Sequence, residues 1–356
     1  MVTPDLWKGK KVLITGLTGF KGSWLYLALQ TLGADVHGIS LLSEESSLIY
    51  KKVVKDRILG QHFDIDIRDR VELNSKIAEI NPDVIFHLAA QSLVKTGVDE
   101  PIRTFETNFL GTLNILEAAR TARNLKSLIV VTSDKVYKNE NKHKDFKEED
   151  EIWGVDPYSA SKASVEILVN SYVKTFFLEN KNVNIAVARA GNVIGGGDSS
   201  PNRIVPDYFR SLTEKTKLML RNPESIRPWQ HVLDCLCGYL MLAEASLKGV
   251  ISQGEAFNFG PSNLDFQTVA KLVKTLNEFS SKVDLTAVET AQGVKSFKES
   301  DVLTLDSQKA LNALGWRPRA DFRVSVQLTA EWEIANLNGS DLDEISEKQI
   351  RDFLNV

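Results

Sequence analysis

Through its first half the sequence repeats one unit: a short apolar run, a turn, then a stretch with helical spacing. Lys11–Thr15 reads KVLIT, a β-branched run that ends at a glycine, as a strand buried on both faces would. Further strands are predicted at 36–41, 61–65, 83–88, 127–132 and 183–189. Helices are predicted between them at 23–32, 70–80, 104–120 and 158–177, the first stopped by Gly33 and the second by Asn81-Pro82. Strands alternating with helices predict an α/β fold, a doubly wound parallel sheet of the Rossmann type. After Arg189 the rhythm breaks. Residues 191–206 are rich in Gly, Asn, Asp, Ser and Pro and are expected to be a loop. The expected division is a Rossmann domain over 1–190, with 228–261 returning to it, and a smaller C-terminal lobe from 191–227 and 262–356. Two short apolar segments, 229–232 and 256–259, are candidates for the return. The acidic tail after Asn338 is expected to be a short surface helix.

Composition narrows the partners. Lys and Arg total 43 against 47 Asp and Glu, a formal net charge of -4. That balance argues against nucleic acid, whose binders carry a basic excess, yet a nucleotide ligand needs only a few local donors. Cys235 and Cys237 are separated by one residue, too close for an ordinary bridge on regular backbone. With a polar N-terminus and no bilayer-length apolar run, a cytoplasmic protein without disulfides is expected. The five histidines have no metal-ligand spacing, so no metal is expected, and His87 and His231 are read as packed residues.

The candidate chemistry begins at Gly16-Leu17-Thr18-Gly19-Phe20-Lys21-Gly22, between the first strand and the first helix. Glycines allow a tight turn and close approach to a pyrophosphate, and the helix N-terminus supplies free N–H groups and a positive dipole end. Lys21 either lies over a diphosphate or is a solvated lysine at the helix start. The second strand ends Ile39-Ser40-Leu41, with neither the acid that holds an NAD ribose nor an arginine for NADP, so this position does not separate the two. Asp66-Ile67 either meets an adenine ring or is an acidic loop or helix cap.

Tyr158 and Lys162 stand at i and i+4 at a helix start, one turn apart on one face. An ammonium beside a phenol favours the phenolate, which gives a base able to take a hydroxyl proton as hydride leaves carbon. Thr132-Ser133-Asp134-Lys135 follows the fifth strand, at the carboxyl end where a parallel sheet presents its ligand crevice. Read locally, that segment is more simply a helix cap followed by a solvated Asp-Lys pair.

The segments TGLTGFKG, HLAAQ (87–91), 108–118 and YSASK together resemble the extended short-chain dehydrogenases that act on nucleotide sugars. RAGNVIGGGD, NRIVPDYFR, RPWQHVLD, FNFGP and GWRPR look like those of CDP-glucose 4,6-dehydratases, and the similarity runs from about residue 10 to about residue 332. The resemblance implies a lyase that binds NAD and converts a nucleotide-activated hexose, CDP-D-glucose for preference, to its 4-keto-6-deoxy form. It also implies a homodimer and a place in deoxysugar and lipopolysaccharide O-antigen biosynthesis. It implies catalytic roles for Thr132 (orienting the sugar), Asp134 (acid at the C6 hydroxyl), Lys135 (base at C5), Tyr158 (base at the C4 hydroxyl) and Lys162. Cofactor contacts are implied for Gly16, Gly19, Phe20, Lys21, Gly22, Asp66, Ile67, Ala89, Ala90, Gln91, Asn108, Tyr158 and Lys162. Asn192, Arg203 and Arg227 are implied substrate ligands. The sequence departs from that group at Leu17, usually histidine, at Val136, usually cysteine, and at Ser199, commonly tryptophan. Two rivals remain at this level: a nucleotide-sugar C4 epimerase, which needs Tyr158 and Lys162 but neither Asp134 nor Lys135, and a non-catalytic dinucleotide-binding protein.

Overall fold

Seven parallel strands form the centre of the protein: β1 Lys11–Thr15, β2 Asp35–Ile39, β3 His62–Phe63, β4 Val84–His87, β5 Ser127–Val131, β6 Asn184–Ala190 and β7 Ala256–Phe259. They lie in the order β7-β6-β5-β4-β1-β2-β3, so the chain reverses direction across the sheet between β1 and β4. Open parallel sheets bind ligands outside the carboxyl ends of the strands at such a reversal. This computed structural model describes residues 1–58, 60–140, 144–179, 182–262, 266–280, 289–290 and 302–356. Parts of the expected C-terminal lobe (263–265, 281–288 and 291–301) lie outside the described residues.

Alternation along the strands sorts the core into two layers. Val12, Ile14, Val84, Phe86, Ile129 and Val131 face one side, against helices α1 (Phe20–Thr31) and α6 (Val232–Leu247). Leu13, Ile85, Leu128, Val130, Ile185 and Val187 face the other, against α2 (Arg70–Ile80), α3 (Gly111–Thr121) and α4 (Pro157–Tyr172). A third core, which includes Tyr208, Phe209, Trp229, Leu272 and Phe322, belongs to the smaller lobe built on α5 (Ile204–Glu214), α7 (Val269–Ser280) and α8 (Phe322–Leu337).

The segment at 256–259 joins the sheet as its seventh strand, register Phe257 to Ala188 against β6. Two expectations are corrected. The loop expected over 191–206 contains the short strand Val193–Ile194, paired with Gln230–His231, and gives way to α5 at Ile204, whose first turn accommodates Pro206. The tail helix, α9 (Leu342–Leu354), is not a surface helix. Ile350, Phe353 and Leu354 are buried in the core shared with α1 and α6, and Trp332 Nε1 donates to Ser346 Oγ at 2.9 Å. Among the described residues no helix is long and apolar enough to cross a membrane.

Candidate active site

The glycine turn fits the carboxyl end of β1 because no other residue would. Gly16 has φ +76°, and a Cβ there would lie 2.7 Å from the backbone nitrogen of Ala89, which follows β4. A Cβ on Gly22 would lie 2.2 Å from the carbonyl oxygen of Gly16. The turn is thus pressed against both β4's exit and the first turn of α1. Gly19 caps α1 without a side chain, and no side-chain hydrogen bond covers the helix's first N–H groups. That is the donor set a pyrophosphate takes, so the residues present fit a dinucleotide. Phe20 is buried in the core, so it can meet such a ligand only through its backbone. Lys21 is not a free, solvated lysine: its ammonium donates to the Tyr239 hydroxyl at 3.3 Å.

The second rim of the site is the loop after β4. Thr112 donates to the carbonyl of Asn108, which leaves its oxygen to accept from His87 Nε2 at 2.9 Å. His87 Nδ1 is then the acceptor for Thr15 Oγ1 at 2.7 Å, and Thr15 Oγ1 in turn accepts from Ala89 N at 3.3 Å. Burial and Lys162 lower the His87 pKa to about 3, so the ring is a neutral tie between β1, the loop and the following helical segment. Asn108, 1% exposed, donates to Gln91 O and Ser161 Oγ and accepts from Gln91 N. Its amide joins the 89–91 loop to α4 and thereby holds the loop's shape. Ala89, Ala90 and Gln91 themselves are half-buried along this rim. Asp66 forms an ion pair with Arg68 at 2.6 Å, while Asp69, not Asp66, caps α2. Ile67 is buried against Gly111.

The third wall carries the reactive groups. Asp156 caps α4 by accepting from Ser159 N, with Pro157 at the first helical position, so Tyr158 and Lys162 enter on the first two turns. Both are buried, and Lys162 Nζ donates to Val131 O at the end of β5 at 3.0 Å. Burial and Lys21 lower Lys162 to about 8. Burial pushes the Tyr158 phenol up to about 12, while a hydrogen bond from Ser133 and the charge of Arg203 oppose the rise. The cation that favours the phenolate here is Arg203, whereas the i, i+4 spacing points to Lys162.

Ser133 caps the short turn Asp134–Val136 and donates to Asp134 Oδ1 at 3.0 Å. Asp134 is 3% exposed, and its Oδ2 has no hydrogen-bond partner. Burial raises its pKa against the pull of Lys135, Arg227 and Lys21, the direction that favours the protonated form a general acid needs. A Cβ on Gly191 would lie 3.2 Å from Oδ2, so that glycine gives the acid its room. Asn192 follows Gly191, and its carbonyl accepts from Gln230 N. Arg227 is buried on the short strand Ile226–Arg227, and Arg203, at the cap of α5, bonds Asp198 at 2.9 Å and Ser92 at 3.1 Å. Asp134 lies within electrostatic reach of Lys135, Arg227, Lys21 and Tyr158, and Tyr158 of Arg203, so these groups gather at the sheet's carboxyl edge. His231, by contrast, caps α6 and stacks on Phe353, as a packed residue should. Among the described residues no cluster of His, Cys, Asp or Glu has the makings of a metal site.

Three members of this wall escape motif reading: Ser133, Glu166 and Arg189. Glu166 carried a signal, since 158, 162 and 166 are four apart and share a helix face.

Comparison with known proteins places this geometry. Residues 13–329 match the family model described as GDP-mannose 4,6 dehydratase. The chain is 36% identical to the CDP-glucose 4,6-dehydratase of Salmonella typhimurium, covering 100% of this chain and 99% of that one. Among solved structures, the dTDP-glucose 4,6-dehydratase of Bacillus anthracis in complex with NAD has TM-score 0.77 at 24% identity, covering 92% of this chain and 98% of that one. An epimerase from Methanothermobacter thermautotrophicus has TM-score 0.81 at 24% identity, covering 94% and 95%.

Proposed function

The chain belongs to the GDP-mannose 4,6 dehydratase family, within the extended short-chain dehydrogenases, and from that premise we propose that it dehydrates a nucleotide-activated hexose to the 4-keto-6-deoxy sugar. CDP-D-glucose is the proposed substrate, after the relative in Salmonella typhimurium. The observation that carries the reading is the buried Asp134, its pKa raised and its Oδ2 without a hydrogen-bond partner, within electrostatic reach of Tyr158: one group suited to give a proton near one suited to take it.

NAD, bound along the 16–22 turn, would supply a hydride acceptor that returns what it takes within the same turnover. Tyr158 takes the proton of the C4 hydroxyl, assisted by the charge of Arg203, and Lys162 holds the ribose. Thr132 orients the sugar. Ketone formation at C4 acidifies the C5–H bond, and Lys135 removes that proton. Asp134 protonates the departing C6 hydroxyl, which leaves as water. Burial favours the protonated form of Asp134, the form in which it can serve as the acid.

The remaining assignments belong to the same reading. Gly16, Gly19, Gly22 and the backbone of Phe20 line the diphosphate, with Lys21 at its edge. Asp66, Ile67, Ala89, Ala90, Gln91 and Asn108 border the adenosine and nicotinamide ends. Asn192, Arg203 and Arg227 take the nucleotide diphosphate of the substrate, which the smaller lobe covers. A homodimer through the 101–121 and 157–177 helical segments is supported by the exposure of Ile102 (75%) and Ile167 (65%), large apolar side chains on those segments. A cytoplasmic supplier of deoxysugars for surface polysaccharide is the setting this chemistry suits.

A C4 epimerase would need neither Asp134 nor Lys135, and nothing in its chemistry would use a buried acid at that point. The test is incubation of the pure protein with NAD and CDP-glucose: a 4-keto product should accumulate without added reductant. No product from CDP-, dTDP-, UDP- or GDP-hexoses removes the reading, and a C4-inverted sugar as the sole product selects the epimerase.

A further inference from the structure

β2 ends without the acid that, in Rossmann enzymes, takes the adenosine ribose of NAD. A bonded cluster stands at that exit. Ser40, 6% exposed, directly follows the strand. Its Oγ accepts from Thr18 N in the glycine turn at 3.2 Å and lies 2.8 Å from His62 Nε2 on β3. His62 Nδ1 lies 3.0 Å from the hydroxyl of Tyr50, itself 4% exposed. Burial lowers the His62 pKa, so the ring is neutral at physiological pH and carries one N–H. The Tyr50 proton has no other acceptor among the described residues, so it goes to Nδ1 and the ring's own proton sits on Nε2. Ser40 Oγ then accepts twice, from Thr18 and from His62, and its own proton is free for a ligand. A serine so placed holds a ribose hydroxyl by donation. Donation suits a 2′-phosphate oxygen equally, so Ser40 alone does not tell NAD from NADP.

The discriminating charge comes from the next strand. Asp64 directly follows β3, and its Oδ1 accepts from Leu42 N at 2.8 Å, two residues beyond Ser40. Tyr50 and His62 are both within its electrostatic reach. A carboxylate is thereby fixed at the exit of β2 although β2 carries none. Lys51, a cation that reaches the loop after β2, is bonded to Glu44 O at 2.5 Å. We propose that Asp64 is the specificity-determining residue for the cofactor: from β3 it supplies the negative charge at the β2 exit that admits a 2′-hydroxyl and turns away a 2′-phosphate. Repulsion between two anions a few ångströms apart is enough to change affinity about tenfold, even in a medium of high effective dielectric.

The inference rests on a dinucleotide bound along the 16–22 turn, so the titrations start from wild-type protein freed of bound nucleotide. Wild type should bind NAD at least about tenfold more tightly than NADP. Binding of neither removes the dinucleotide reading itself, whereas equal binding of both, or a preference for NADP, overturns the proposal alone. Asp64→Asn keeps an acceptor for Leu42 N and loses the charge. Calorimetric titration should show its NADP affinity raised about tenfold and its NAD affinity within about threefold of wild type. Ser40→Ala should weaken NAD and NADP alike, since the donor serves both. An unaltered NAD-to-NADP ratio in Asp64→Asn, or a ratio that moves in Ser40→Ala instead, sinks the proposal. Salt gives a check that needs no variant. Asp64 is exposed, so the wild-type preference should shrink between about 0.05 M and about 0.5 M NaCl. A preference indifferent to salt would mean that charge is not what discriminates.

Discussion

Replacing Glu333 by Gln isolates one buried proton whose effect on stability can be worked out in advance. Glu333 lies on α8, 5% exposed, and accepts the Gly197 N–H at 2.8 Å. Burial first, and Asp198 next to it, push its carboxyl from the ordinary 4.5 to about 8. Between those two values the folded protein holds the proton and the unfolded chain releases it. Stability from this group therefore falls as pH rises through the window, and is level below it. At about 1.4 kcal/mol per unit, the full shift corresponds to as much as ~5 kcal/mol lost above pH 8. Glutamine keeps a carbonyl for Gly197 and never ionises. Urea unfolding of both proteins at about pH 5 and about pH 8.5 should show near-equal midpoints at the lower pH and a wild-type deficit of several kcal/mol at the higher. All other titrations are common to the two proteins, so two parallel pH profiles would refute the assignment.

Asp134→Asn should lower kcat about a hundredfold or more while substrate binding persists, as judged by calorimetry; unchanged kcat would remove the acid role. Gly22→Ala puts a methyl 2.2 Å from Gly16 O, so NAD affinity measured by fluorescence titration should fall at least about tenfold, and an unaltered affinity would contradict the cradle. Light scattering should give a dimer for the wild type and a monomer for Ile102→Asp with Ile167→Asp; a monomeric wild type disposes of the interface. His231 is held neutral by burial, its pKa lowered from 6.5 to about 3, so stability from this group is lost as pH falls below 6.5. His231→Asn keeps a cap for α6 and should flatten the acid limb of the stability curve; an unchanged limb means that other groups govern it.

The sheet was legible because its strands are buried on both faces and so spell continuous β-branched runs, as KVLIT and SLIVV do. Among the helices opposite them, α2 announced its end at Asn81-Pro82, whereas its N-cap is Asp69 and not the Asp66 that the sequence offered. α9 was misread because its acidic surface hides Ile350, Phe353 and Leu354, three apolar residues on one stripe that the core takes in. The π turns Glu106–Leu110 and Val173–Phe177 leave no mark in composition, since they shift register inside otherwise ordinary helices. Of the site, the residues with a motif were visible and those that act through contact were not. Nothing near Lys21 announces Tyr239, 218 positions away, and nothing in the Thr132 segment announces Glu166. Direction is the part that only the fold supplies: which proton points where, and which carboxyl is denied water.

The central claim is that one pocket takes a hydride from C4 of the sugar and gives it back at C6 with loss of water. Single-turnover incubation with CDP-glucose deuterated at C4, followed by NMR of the product, reads this directly. The account predicts deuterium in the C6 methyl group of a 4-keto product. A product whose methyl carries no label, or label retained at C4, would contradict it.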